Sequence, residues 1–295
     1  MTSIDEKQPA NAENLEAGDD HTSDHVEFTE AEKKSIIRRI DLRIIIIIGA
    51  VYCFSLIDRN NMGTASVAGM NVALGMNVKN NGYSISNLVF FTLYILVQPF
   101  ATILIRKFGP RNFLTTIALL WGCTVMCMGF VKRWQQLLAL RVVLGLFEGG
   151  FFPAVAYLLS TWYTRYEMGR RFSYVYMLAA IASAFSGLFG YGLMQMNGVG
   201  GLAGWRWIFI MEGIITVVLA CGAFIFLVPF PDADAHKAFK FLNKAEVSYV
   251  IRMIEVDRGD VHLEEFTVRR FLSGGKDIKI YFLGSIYGLS AVVTY

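Results

Sequence analysis

The chain has 295 residues, of which 55% are hydrophobic and only 17% charged, with a formal net charge of +3. A soluble domain carries about a quarter charged residues. Here the charges are missing from whole segments, which excludes an ordinary water-soluble globule and indicates an all-α polytopic membrane protein. Cys53, Cys123, Cys127 and Cys221 fall in apolar segments with no histidine near them, so neither a metal site nor a cofactor is expected.

Residues 1–40 are acidic and then basic, with almost no apolar periodicity before Ile36, and read as a disordered tail. At its end, TEAEKKSIIRRIDLR predicts a short amphipathic helix leading into the membrane, with Thr29 as N-cap and Glu32 three residues on. Six apolar segments follow, at about 44–68, 85–105, 113–131, 136–161, 172–194 and 207–228. A span needs ~20 residues at 1.5 Å each. They make residues 41–230 a six-span bundle, in which Pro99 and Pro153 are expected kinks or breaks. Residues 231–279 are polar and read as a linker, with an amphipathic helix near NKAEVSYVIRMIEVDR. IYFLGSIYGLSAVVTY, residues 280–295, opens a seventh segment that is short of a full span, so the sequence reads as cut off after its first half.

Positive charge predicts the orientation. With the N-terminus in the cytoplasm, the inside holds Lys7, Lys33, Lys34, Arg38, Arg39 and Arg43, then Arg106, Lys107 and Arg111, then Arg165, Arg170 and Arg171, before the basic residues of the linker. The outside holds Lys79, Lys132, Arg133 and Arg206. The bias favours a cytoplasmic N-terminus.

SLIDRNNMG, residues 55–63, interrupts the first apolar run. A span ending at Ile57 would have about 14 apolar residues, ~21 Å of helix against a ~30 Å hydrocarbon core, and would not cross. The helix is therefore expected to run on through Asp58, Arg59, Asn60 and Asn61 into small residues suited to close helix packing. Charge at this depth costs at least ~2.5–3.5 kcal/mol per residue and marks a functional site by default. The others are Arg141 and Glu148 in span four and Glu212 in span six. All four histidines lie outside the spans, which argues against a membrane enzyme and leaves carboxylates to carry any proton.

Spans one and four lead two triplets, and each carries an acid and an arginine. Transporters are often built from inverted triplets with the site where the repeats meet. Asp58 with Arg141, or Arg59 with Glu148, are candidate buried pairs that fix packing. The functional alternative is an arginine that grips an anion while a carboxylate changes protonation, since arginine stays charged and a desolvated carboxylate takes up a proton more readily. Asn60, Asn61, Tyr94, Gln98, Tyr157 and Gln195 are weaker candidates, each equally suited to an interhelical hydrogen bond.

DRNNMGTASVAGM in span one, RKFGPRNFL after span two, RVVLGLFEGGFFPAVAYLLSTWY in span four and GWRWIFIMEG opening span six together resemble the N-terminal half of the major facilitator superfamily. The resemblance covers about residues 36–295 and is nearest to the anion:cation symporters, fungal allantoate/nicotinate permease branch. In the loop motif Lys107, Gly109 and Arg111 match a gating element, whereas Thr102 and Arg106 replace its usual Gly and Asp. The resemblance implies the first six-helix bundle of a twelve-span fold, two inverted three-helix repeats plus a partial seventh helix. It implies proton-coupled uptake of a small organic anion, such as a vitamin, ureide or carboxylate, by a protein of the plasma membrane that is monomeric when full length, with no cofactor and no nucleic acid. Arg59 would bind substrate with Asn60, Arg141 and Tyr157, while Asp58 and Glu148 would carry the proton and Arg141 would tune Glu148. The alternative is a transport-incompetent fragment or a nutrient-sensing relative.

Overall fold

A computed structural model of the chain describes residues 28–76, 81–231 and 242–259, and residues 277–286 apart from 280 and 283. Most of the tail, much of the linker and most of the seventh segment lie outside these residues.

Helix α1 runs from Glu30 to Val67. Its start is fixed by a capping box: the Glu32 amide donates to Thr29 Oγ1 at 3.4 Å, and the Thr29 amide donates back to Glu32 Oε2 at 2.8 Å. The amphipathic lead and span one are one helix, where the sequence predicts a separate short one. Its 38 residues span about 57 Å, so Asp58 to Asn61 lie inside it. Gly69, at φ +92°, ends this run before the single turn α2 (Met70–Ala73).

Helix α3 (Gly82–Phe108) passes through Pro99 without ending. Gly109 adopts φ +79°, which only glycine takes easily, and Pro110 opens α4 (Pro110–Met128) at a position that needs no amide hydrogen. Span four is divided into α5 (Trp134–Glu148) and α6 (Phe151–Trp162) at Gly149 and Gly150. Pro153 has no N–H for the Gly149 carbonyl four residues back, so the ladder loosens directly after Glu148. Helices α7 (Arg165–Met194) and α8 (Gly204–Phe226) complete the bundle, and α9 (Lys244–Arg258) follows in the polar stretch after it. Six helical segments are long and apolar enough to cross a membrane, and no strand occurs among the described residues.

Helix α4 packs along α8, α1 along α7 and α3 along α5, while α1 also meets α8. Small residues allow the approach: a Cβ on Gly145 would stand 2.7 Å from the Phe90 carbonyl oxygen, and one on Gly149 2.6 Å from that of Tyr94. This brings α5 against α3 and carries Glu148 to the centre of the bundle. Spans two and five are only 17% buried over their most apolar windows, against 56% for spans three and four. Their outward apolar side chains, such as Leu88, Ile95, Phe100, Phe185 and Leu188, suit lipid or another apolar protein surface and not water.

At the end where span one begins, Asp41 joins three elements. Its Oδ1 accepts from Arg171 Nε at 2.6 Å and from Tyr163 Oη at 2.8 Å, and its Oδ2 from Arg171 Nη2 at 3.3 Å. Burial and the neighbouring Asp41 carboxylate push the Tyr163 phenol upward, so it stays a neutral donor. Helix α9 docks nearby. Glu246 takes both terminal nitrogens of Arg39, the Arg165 amide donates to Asp257 at 2.9 Å, and Val247, Val250 and Ile254 are buried.

Candidate functional site

Arg59 points from α1 toward α3 and α5. Its Nη2 donates to Tyr94 Oη at 3.2 Å and to Glu148 Oε1 at 3.3 Å, and its guanidinium lies 5.0 Å from the centre of the Tyr94 ring. Ser55, one turn earlier on α1, donates to the same Glu148 oxygen at 2.8 Å. The Arg59 side chain is 19% exposed and Glu148 1%, so the arginine is the open side of the pair. Arg59 Nε and Glu148 Oε2 have no hydrogen-bond partner, which leaves bonding capacity beside a buried ion pair.

Asp58 points the other way, toward α4 and α8. Trp121 Nε1 donates to its Oδ2 at 2.8 Å, while Oδ1 has no donor. The carboxyl groups of Asp58 and Glu212 meet here side chain to side chain. Arg141 does not pair with Asp58. Its Nη2 donates to Asn61 Oδ1 at 2.9 Å, and Asn61 Nδ2 donates to Glu212 Oε2 at 3.0 Å. Asn61 thus sits between the arginine of span four and the acid of span six. All four side chains are at most 2% exposed. Arg141 Nε is also without a partner, and its guanidinium lies 5.7 Å from the Phe90 ring centre.

Of the two pairings suggested by the sequence, Arg59 with Glu148 forms and Asp58 with Arg141 does not, Arg141 donating to Asn61 instead. The other predicted residues lie apart. Asn60 donates to Ser183 Oγ at 2.8 Å and Ser186 Oγ at 3.3 Å, bonds that tie α1 to α7. Tyr157 lies on α6, edge-on to Phe230 and under the Arg106 guanidinium at 5.8 Å, away from Arg59. Lys107 is exposed beside Phe108, Gly109 supplies the turn, and Arg111 clamps the end of α8 by donating to the Phe224 carbonyl at 2.6 Å.

Three further residues join the centre: Glu212, named in the sequence only as an intramembrane acid, Asn61, only a weaker candidate there, and Trp121, which sequence reasoning missed. Glu212 stood out only as an acid within an apolar run. A tryptophan in mid-span was also a signal, since a buried indole N–H seeks an acceptor. The centre holds three carboxyl groups and two guanidinium groups inside the helical bundle.

Residues 48–295 match the family model described as Major Facilitator Superfamily. The chain belongs to this superfamily. It is 35% identical over 269 residues to an uncharacterized transporter of Schizosaccharomyces pombe, covering 90% of this chain and 51% of that protein. It is 31% identical over 221 residues to the high-affinity nicotinic acid transporter of Saccharomyces cerevisiae, covering 74% and 39%. A major facilitator-type transporter of Emericella nidulans is 35% identical, covering 74% and 43%. The chain spans about half the length of the curated superfamily relatives it matches. Among solved structures it resembles a bacterial homolog of the human lysosomal transporter Spinster in an inward-facing, occupied conformation, with a TM-score of 0.57 and 15% identity over 64% of this chain and 44% of that one. That likeness fixes the major facilitator fold of the six-helix bundle, in agreement with the sequence expectation.

Proposed function

We propose that this protein takes up a small organic anion together with a proton, and that the six-span bundle supplies one wall of the transport cavity. The reading is carried by one observation: a partly open arginine, Arg59, bonded to a buried carboxylate, Glu148, with atoms on both left unpartnered. An arriving carboxylate can satisfy the spare guanidinium N–H. As it does so, it competes with Glu148 for the arginine, and a buried carboxylate that loses its cation favours the neutral form. Anion binding and proton uptake at Glu148 are thereby linked, with Asp58 as a second proton carrier.

The nicotinic acid transporter among the relatives makes a small monocarboxylate the first class to test, with nicotinate as probe and allantoate as a ureide comparison. Arginine distribution supports a cytoplasmic N-terminus, and nutrient uptake supports the plasma membrane. Alternating access requires a second bundle to rock against this one. The 231–279 stretch then serves as the linker between the halves, and the transporter works as a monomer when full length.

The test is uptake of radiolabelled nicotinate by cells expressing the protein, at several external pH values. Saturable uptake that rises as the outside is acidified and is lost in Arg59→Ala is expected. Uptake unchanged by Arg59→Ala would overturn the assignment.

A further inference from the structure

The Arg59–Glu148 pair accounts for one acid of the centre. Two more, Asp58 and Glu212, face each other on its other side, where α1, α4 and α8 meet. They are buried at 0% and 2% exposure. Two carboxylates this close in a low-dielectric site do not both stay ionised. The bonding pattern shows where a proton fits. Asp58 Oδ2 is taken by Trp121, and Glu212 Oε2 by Asn61. Asp58 Oδ1 has no donor. A proton on that oxygen completes the cluster by donating to the Glu212 carboxylate.

We infer that Asp58 and Glu212 hold one proton between them, and that Asn61 links the charge of this carboxyl pair to Arg141. This rests on the symport reading above and deepens it by adding Glu212 as a proton-holding residue and Asn61 as a positioning residue. When the shared proton leaves, Glu212 draws harder on the Asn61 amide, whose oxygen already holds Arg141. The guanidinium is hydrogen-bonded to that side chain.

The charge count gives the pair a purpose. The charged and titratable groups at the centre are Asp58 and Arg59 on α1, Arg141 and Glu148 on α5, and Glu212 on α8, with the phenols of Tyr83 and Tyr94 on α3. The facing residues of α4 and α7 are Trp121, Ser183 and Ser186, none of which ionises. With all three acids ionised the centre carries one net negative charge and repels an anion. With one proton held by the pair it is neutral, and an anion can enter. Proton loading before anion binding follows from charge alone.

The test reads the pair directly, with no anion present. The Trp121 indole N–H, bonded to Asp58, is followed by NMR on the full chain labelled at tryptophan nitrogen in lipid nanodiscs, with Trp121→Phe to assign its signal. Two interacting carboxyls lose their protons in two macroscopic steps. The signal is expected to move in two steps in the unmodified chain, in one step in Glu212→Gln, and still in two steps in Glu148→Gln. A single step in the unmodified chain, two steps in Glu212→Gln, or collapse to one step in Glu148→Gln would each overturn the pair. Should Glu212→Gln fail to fold, the number of steps in the unmodified chain decides by itself. A two-step titration in a protein that takes up no anion would overturn the symport reading and leave the pair standing.

Discussion

The bundle holds two groups of buried or half-buried charges, and they are built differently. At the end where span one begins, Asp41 has both oxygens bonded, to Arg171 and Tyr163, and Arg39 holds Glu246 of α9 through both terminal nitrogens. At mid-bundle, Asp58 Oδ1, Glu148 Oε2, Arg59 Nε and Arg141 Nε are all without partners. Charge at the end joins helices and is largely spent in doing so, with Glu167 Oε2, 3.7 Å from Arg171 Nη1, the exception that has no hydrogen-bond partner. Charge at the centre keeps bonding capacity in reserve, which a structural clasp does not need and a site for an anion and a proton does.

Substitutions can break this contrast. The largest effect is expected from Arg59→Ala, which removes the anion's partner and leaves Glu148 buried and unpaired. Losing one member of a buried charge pair costs about 2–5 kcal/mol, so nicotinate uptake should fall to background while the protein still reaches the membrane. Glu148→Gln should leave anion binding within a few-fold but flatten the dependence of uptake on external pH. The sign follows from the charge count: acid protonates the carboxylates, moves the centre from net negative toward neutral, and favours anion entry, so the unmodified protein should slow as pH rises. Acid stimulation of undiminished size in Glu148→Gln would leave the proton role to Asp58 and Glu212 alone.

Smaller effects should separate packing from chemistry. In Gly149→Ala the added Cβ meets the Tyr94 carbonyl oxygen and forces α5 from α3, at about 1–3 kcal/mol of stability. Thermal unfolding in detergent should show the loss, and nicotinate affinity should fall with it because Tyr94 also holds Arg59. The smallest change is expected from Tyr163→Phe, which deletes one bond to Asp41 and leaves two from Arg171. It should cost about 1 kcal/mol of stability and leave the pH profile of uptake unmoved. A shifted profile there would erase the distinction between the two groups of charge.

Length and depth were legible in the sequence; azimuth was not. The arithmetic that placed Asp58 and Arg59 inside span one holds, since α1 continues to Val67. The candidate pairing of Arg59 with Glu148 holds too, while Arg141 reaches Asn61 in place of Asp58. Which polar side chain faces which depends on the rotation of each helix about its axis, and several polar residues lie at similar depth. Asn61 was therefore indistinguishable from Asn60 in the sequence, although one joins the charged centre and the other ties α1 to α7 through Ser183. Glu212 was visible as an intramembrane acid, but only the crossing of α8 with α1 joins it to Asp58. Tyr157 followed Glu148 along span four, yet it lies beyond the break at Gly149 and Gly150 and meets Phe230 edge-on. The break itself was anticipated at Pro153, whose missing N–H acts one turn earlier.

The most direct test of the coupling between anion and proton is proton uptake on anion binding. Purified protein in a weakly buffered solution with a pH-sensitive dye is mixed with nicotinate. Alkalinisation that saturates with the anion and disappears in Arg59→Ala is the predicted result. Saturable anion binding with no change in solution pH, across the range from acid to neutral, would contradict the account.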